Sequence, residues 1–487
     1  LDKAGDADST LSRDEWHAGF YKSLPVLVGM VTPVTPDWRE LHYNLPGCTI
    51  GASAEDCAIT LAQLVDLKAA LVRRCPAERW TNVSGAPIEP AGANLYDVCR
   101  YVIRPATEAR RCAYVELVAR GPQQPNFFVS HWWGEPVVDF VTCLCAHSSS
   151  RRLQVGTAGR AKALYWVCAY ANNQWDLSPA LTNDPKATSF YRALQEARGT
   201  VTVLDQRAIT FNRIWCSFEI YTSLLETTER KKGFEYDVVT VIEPAQGHTG
   251  PPTVAGLQEG LEAAFPLALA ERALETISLE HANASVPSDK VKILNRIAAG
   301  PGETLSDEQL LAAPAGSHAN YDGVNHTLKA KFAQGALKRC LSENNLELLG
   351  RLCEAISYAT AMREVRWCWG NDRELTPAQV GLLARSLPRK GMQIFELSLR
   401  TGELFEAFGD GVQPNVLSDC TSINIAPGAG VQRASGRCER GGALALAKAL
   451  ARQTGGCPKL DQLRLTSTCH AGRHDATLES GFCANGL

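Results

Sequence analysis

The sequence predicts an α/β protein in four regions. A mainly helical extension (residues 1–125) precedes a doubly wound parallel sheet (126–245), a helical connector (246–330) and a leucine-spaced α/β array (331–487). Three observations predict this. Short apolar runs alternate with amphipathic stretches between residues 127 and 242, the pattern of a parallel sheet with crossover helices. The spacing apolar-x-x-apolar-x-apolar then recurs at Met362/Val365/Trp367, Ile394/Leu397/Leu399, Cys420/Ile423/Ile425 and Leu460/Leu463/Leu465. The chain's 487 residues suffice for several domains of ordinary size.

Taken in order, residues 59–72 and 95–103 have helical spacing, and the Gly, Pro and Asn of 82–94 predict a loop between them. This extension is expected to pack against the sheet, since no long linker precedes residue 127. The runs 127–131, 163–170, 200–205 and 236–242 predict four buried strands. Helices are expected from Val137 through Leu144, over 190–197, and along the stripe Ile214, Phe218, Tyr221 and Leu225. Residues 255–277 predict one long helix kinked at Pro266, and 300–323 a connector with a domain boundary nearby.

In such sheets ligands collect beyond the carboxyl ends of the strands. Those ends carry Ser130, His131, Trp132 and Trp133, then Asn172, Asn173, Gln174 and Trp175, then Asp205 and Gln206. In RIWCSFEI (213–220), Trp215 and Glu219 are four apart, which puts a carboxylate and a flat indole on one helix face. That pair suits gripping a sugar beside a planar base. Against this stand the ordinary readings: Glu219 as a solvated helix group, Trp215 and Cys216 as core packing, and His131 as a satisfied structural histidine.

Together FFVSHWWGE, YWVCAYANNQW and TVTVLDQRAITFNRIWCSFEIY resemble a divergent Toll/interleukin-receptor (TIR) domain, whose sheet is flavodoxin-like. The resemblance rests on a first strand ending in a Ser-containing box and a later Trp-Cys-x-x-Glu helix, here Trp215, Cys216 and Glu219. Asn173 and Gln174 also resemble an Asn-Gln pair of the related heterokaryon-incompatibility domains. The chain departs from these patterns at Arg213 and Cys168, where Ser and Asp are usual, and it lacks the Arg-Asp-x-x-Pro-Gly loop.

The resemblance implies an NAD glycohydrolase or cyclase with Glu219 as the catalytic carboxylate and NAD as substrate, with no cofactor. Cleaving the nicotinamide–ribose bond builds positive charge on the ribose, which a carboxylate offsets; nicotinamide leaves without needing a proton. Substrate contacts are then expected from Ser130, His131, Trp132, Asn173, Gln174, Arg213 and Trp215, with Arg213 or Arg207 at the pyrophosphate and Trp215 or Trp132 stacking. Two other readings stay open: a non-enzymatic signalling adaptor, and a hydrolase using Cys216 with His131.

A net charge of −3 with both signs interspersed offers no basic stripe for nucleic acid. The 17 cysteines show no metal-ligand spacing and read as reduced thiols of a cytoplasmic protein. No apolar run has the length of a membrane span, and no GxxxxGK[ST] motif is present. The four recurring segments, with helical patterns at 380–387 and 443–450, resemble leucine-rich repeats of the ribonuclease-inhibitor type. Stacked units of that kind imply protein partners on the repeat surface, or self-association through it.

Overall fold

A computed structural model describes residues 53–153, 163–177, 182–225, 234–242, 253–257, 261, 264–300 and 302–358. Beyond these it describes 364–368, 375–387, 394–399, 402–413, 422–427, 462–466 and 475–479. The chain divides into two compact units between Val324 and Asn325. The apolar run 26–31 and the helical pattern 443–450 lie outside the described residues.

The first unit is built on a mixed six-stranded sheet in the order β1-β3-β2-β4-β5-β6. Its strands are β1 (Ile59–Thr60), β2 (Phe127–Ser130), β3 (Leu164–Trp166), β4 (Gly199–Leu204), β5 (Glu235–Ile242) and β6 (Thr253–Gly256). The inner four are parallel, with Phe127 beside Tyr165, Ser130 beside Thr202, and Thr202 beside Val238. β1 and β6 close the two edges antiparallel. Because β3 and β4 flank β2, the chain reverses its direction of travel across the sheet between β2 and β4. A crevice opens at the carboxyl ends of strands at such a point.

Local sequence explains the helices. Thr60 accepts from Gln63 N at 3.1 Å while its own N–H reaches Gln63 Oε1 at 2.8 Å, a capping box that starts α1 (Leu61–Ala77). The crossovers are α2 (Val137–Ser150), α3 (Ser189–Glu196, capped by Thr188) and α4 (Ile214–Leu225). α5 (Leu267–Thr276) and α6 (Pro287–Ala299) follow, and the boundary falls within α7 (Ala319–Glu343). Leu64, Leu67, Leu71, Val98 and Ile103 share one buried cluster with Phe127, Phe128, Tyr165, Trp166 and Val201. The described part of the N-terminal extension therefore completes the sheet's core.

Two expectations are corrected. Only Leu164–Trp166 of the run 163–170 is strand; Cys168–Ala171 turns into a short helix, an ambiguity inherent in short apolar runs. Residues 255–277 are not one kinked helix. Thr253–Gly256 pairs with β5, and the following helix starts only after Pro266, because proline's missing N–H is harmless at a helix start and disruptive inside one.

The second unit carries a five-stranded sheet ordered β11-β10-β9-β8-β7. The strands β7 (Glu364–Cys368), β8 (Ile394–Leu399), β9 (Ser422–Pro427) and β10 (Gln462–Thr466) lie parallel and side by side in chain order, and β11 (Asp475–Glu479) is antiparallel. Each of the four parallel strands contains the last two positions of one recurrence of the apolar spacing; Met362, Cys420 and Leu460 lie outside the described residues. Besides the greater part of α7, its described helices are α8 (Leu346–Ser357), α9 (Pro377–Ala384) and α10 (Gly402–Gly411). A Cβ on Gly411 would stand 2.2 Å from the Gly381 carbonyl, so α9 and α10 approach as closely as they do only because glycine is there. Among the described residues no helix is long and apolar enough to cross a membrane.

At the amino ends of the strands, α2 is fastened to the sheet by a buried polar cluster. His147 Nε2 lies 3.0 Å from Asp237 Oδ2 on β5, and its Nδ1 2.9 Å from the Tyr165 hydroxyl on β3. Arg151 donates from Nε to Asp237 at 2.6 Å and also from Nη2. Burial opposes ionisation of Asp237, yet the hydrogen bonds from His147 and Arg151 outweigh it and hold the carboxyl below its ordinary value. The resulting stabilisation is present above the unfolded value near 3.8 and is lost as pH falls through the lower folded value. Asp237→Ala strips the buried His147 and the half-buried Arg151 of their shared acceptor and is expected to cost roughly 3 kcal/mol in denaturant unfolding. A loss below about 1 kcal/mol would show that the cluster does not hold α2 in place.

Candidate active site

A cavity of about 230 Å³ opens at the carboxyl ends of the strands, beside the reversal between β2 and β4. Its lining includes His131, Trp132 and Trp133 from the loop after β2, Cys168, Asn172 and Gln174 after β3, and Arg213, Trp215, Cys216 and Glu219 around the start of α4. Tyr96 comes from the N-terminal extension, Phe190 from α3, Asn283 and Ser285 from the approach to α6, and Asp289 from its first turn.

Glu219 is 6 % exposed. Its Oε2 accepts a 2.6 Å hydrogen bond from Ser130 Oγ, while among the described residues Oε1 has no hydrogen-bond partner and is left to the cavity. Burial pushes this carboxyl up to about 8, and the Ser130 hydrogen bond offsets only part of that rise. Ser130 does not itself line the cavity. As the last residue of β2 it is fully buried behind the carboxyl, which it fixes.

The other ionisable groups are tuned differently. Burial lowers His131 to about 4 and raises the Cys168 thiol to about 12, and Cys216 is pushed well above its ordinary value by burial and by Glu219. Cys216 donates to the His131 carbonyl at 3.5 Å. A thiol held protonated beside a backbone oxygen, with a histidine kept neutral, is poorly prepared as a nucleophile. Trp133 Nε1 donates to Cys168 Sγ at 3.1 Å, and Cys168 lies 4.0 Å from His131 Nε2. Among the described residues no group of three or more His, Cys, Asp or Glu is placed to hold a metal ion.

Trp215 is held on several sides. Phe190 stacks on it with centroids 5.5 Å apart, Phe218 meets it edge-on at 6.3 Å, and its Nε1 donates to Asp289 Oδ2 at 3.0 Å. Arg213 Nη2 donates to Ser285 Oγ at 2.5 Å. Trp132 folds back over Gly134, where a Cβ would stand 2.2 Å from the indole, and Arg207 approaches its outer side at 6.0 Å from the ring centroid.

Of the eight residues singled out from sequence, Glu219, His131, Trp132, Gln174, Arg213 and Trp215 line this one cavity, with Ser130 directly behind. Asn173 does not: its amide donates to the Arg111 carbonyl at 2.6 Å and its Oδ1 accepts from Trp175 N at 3.0 Å, because its side chain closes the local turn. Asn172 takes the lining position instead. Trp175 is also turned away, packed between the guanidinium groups of Arg104 and Arg111. Sequence reasoning missed Tyr96, Phe190, Asn283, Ser285 and Asp289. Pro287 as a helix start was readable, but nothing in the sequence tells which surface that start meets.

Comparison with family models, with curated proteins and with solved structures finds no match to the chain. The site therefore rests on its own geometry.

The raised Glu219 value has a sign that can be checked. Between its ordinary value near 4.5 and about 8 the folded state keeps a proton that the unfolded chain has released, so stability falls as pH rises across that window. Glu219→Gln has no proton to lose and keeps an acceptor for Ser130. Its stability relative to the native protein is expected to improve by roughly 1.4 kcal/mol per pH unit across that window, read from unfolding curves at several pH values. A difference independent of pH would mean that the carboxyl is solvated.

Proposed function

We propose that the first unit is a TIR-like enzyme that cleaves the nicotinamide–ribose bond of NAD or a related nucleotide, by hydrolysis or cyclisation, with Glu219 as the catalytic carboxylate. The observation that carries this reading is the buried Glu219 carboxyl, fixed by Ser130 on one oxygen and open on the other, in a cavity walled by Trp132, Trp133, Trp215, Tyr96 and Phe190. The parallel strand order, with the first strand between the second and third, supports a flavodoxin-like sheet.

The chemistry fits the electrostatics. The nicotinamide ring of NAD is cationic while bonded to ribose and leaves neutral, passing its charge to the sugar, and its face suits indole rings. A cation within a few ångströms favours the charged form of a carboxyl, so substrate entry converts the Glu219 acid into the carboxylate that offsets charge on the ribose. Arg213, with Ser285 behind it, offers donors to phosphate oxygens. The cavity falls below the roughly 300–1,000 Å³ usual for a whole ligand, so the ring and its ribose occupy it and the second nucleotide extends outward.

For the second unit we infer a leucine-rich-repeat-like array, supported by four parallel strands stacked in chain order at the recurring spacing. Protein partners or self-association through that array follow from this reading.

The test is nicotinamide release from NAD by the full chain. Glu219→Gln is expected to lower the rate roughly a hundredfold or more. kcat/KM should rise with pH toward about 8, where free Glu219 ionises, and Ser130→Ala should move that rise to higher pH because the carboxyl loses the bond that favours its charge. Loss with Cys216→Ala while Glu219→Gln stays active would assign the site to the thiol. No release at any protein concentration would leave the unit a non-enzymatic adaptor.

A further inference from the structure

The segment just before and at the start of α6 lies outside the parallel sheet and its crossovers, yet it is laced onto the helix that carries Glu219. Ile214 N donates to the Asn283 carbonyl at 2.9 Å, and Asn283 N donates to the Asn212 carbonyl at 2.6 Å. Arg213 and Asn283 form a parallel bridge, and Arg213 reaches Ser285. In the first turn of α6, Asp289 Oδ2 receives the Trp215 indole N–H at 3.0 Å.

α6 is itself fixed. Arg296, only 1 % exposed, donates from Nε and Nη2 to the two Asp184 oxygens at 3.1 and 2.6 Å, and from Nη1 to the Glu303 carbonyl at 2.8 Å. Such a forked pair anchors a helix more firmly than a point charge does. Asp289 is thus presented from a rigid support, and it lines the cavity beside the ring that it holds.

We propose that Asp289 is a positioning residue of the site: it fixes the Trp215 indole in the plane that the entering ring must match, and so delivers the substrate's ribose to Glu219. This rests on the NAD-cleaving reading for its kinetic consequence, and on geometry alone for the anchor. Phe190 covers one face of the indole and Phe218 meets the ring edge-on, but ring contacts of this kind are not directional and leave the indole free to tilt about its own side-chain bonds. The edge-on bond to Asp289 removes that remaining rotation, which is the freedom that would otherwise be lost on binding. The requirement is for an acceptor at the Oδ2 position, and an amide oxygen meets it as well as a carboxylate does.

The test compares Asp289→Leu with Asp289→Asn in the full chain. In the ¹⁵N spectrum of tryptophan-labelled protein, the Trp215 indole N–H, assigned by its disappearance in Trp215→Phe, is expected to be protected from solvent exchange in the native protein and in Asp289→Asn. In Asp289→Leu it should shift and lose that protection. With NAD, Asp289→Leu should raise KM on the order of tenfold with a smaller change in kcat, and Asp289→Asn should recover most of the loss. An unshifted, protected resonance in Asp289→Leu overturns the proposal. So does an Asp289→Asn variant as impaired as the leucine variant, because charge and not indole placement would then be the function. A native protein that shows the protected resonance but releases no nicotinamide sinks the reading of the cavity while upholding the anchor.

Discussion

The first unit is organised around a carboxyl group kept from water. A buried ionised glutamate is costly, and here the surroundings pay only part of that cost: one hydroxyl from the end of β2 reaches one oxygen. Among the described residues no guanidinium or ammonium group pairs directly with it. The group therefore stays protonated near neutrality, and its second oxygen has no hydrogen-bond partner among the described residues. A structural role would favour a full set of partners or an apolar replacement. An arrangement that stores this penalty and leaves one oxygen open is what a site needs if the missing charge is to arrive with a ligand.

The same burial sorts the other groups. It drives His131 down and Cys168 and Cys216 up, so each stays uncharged around pH 7. The Tyr96 phenol is raised as well. Among these groups Glu219 alone is brought close to neutrality, so one environment silences two thiols and an imidazole while bringing a carboxyl into the working range. This argues against a Cys216 and His131 pair on grounds separate from distance. Arg213 lines the same cavity but is engaged with Ser285, which places its charge at the wall formed with the start of α6.

Much of the sheet was legible because its signals are local. β2, β4 and β5 coincide with apolar runs bounded by polar loops, and the crossover helices with stripes at helical spacing. Since loops after parallel strands gather at one end, placing His131, Trp132 and Gln174 near Glu219 needed only the strand order. The errors arose where local pattern is ambiguous. Cys168 through Ala171 is as apolar as the strand before it, and residues 255–277 kept helical spacing across a strand, a turn and a proline. Asn173 failed for another reason: adjacent polar residues in a loop face different ways, and only the turn's own hydrogen bonds decide that Asn172 looks inward and Asn173 toward Arg111. Tyr96 and Asp289 were beyond reach, since they lie far along the chain from Glu219 and nothing local encodes their approach.

That last class of residue says where the functional unit begins and ends. Leu95 N donates to the Trp133 carbonyl and Val137 N to the Ala93 carbonyl, which binds the segment carrying Tyr96 to the loop after β2. On the opposite flank, Asn283 is laced between Asn212 and Ile214. Backbone bonds of this kind tolerate almost any side chain, so they leave little trace in sequence, yet they set the walls of the cavity to within the accuracy of a hydrogen bond. Tyr96 on one flank and Asn283, Ser285 and Asp289 on the other complete the wall of the cavity that Glu219 lines. The acidity shift and the walls are therefore linked: burial raises the carboxyl, and the enclosure that buries it is shared among the loops after the strands, the extension and the connector.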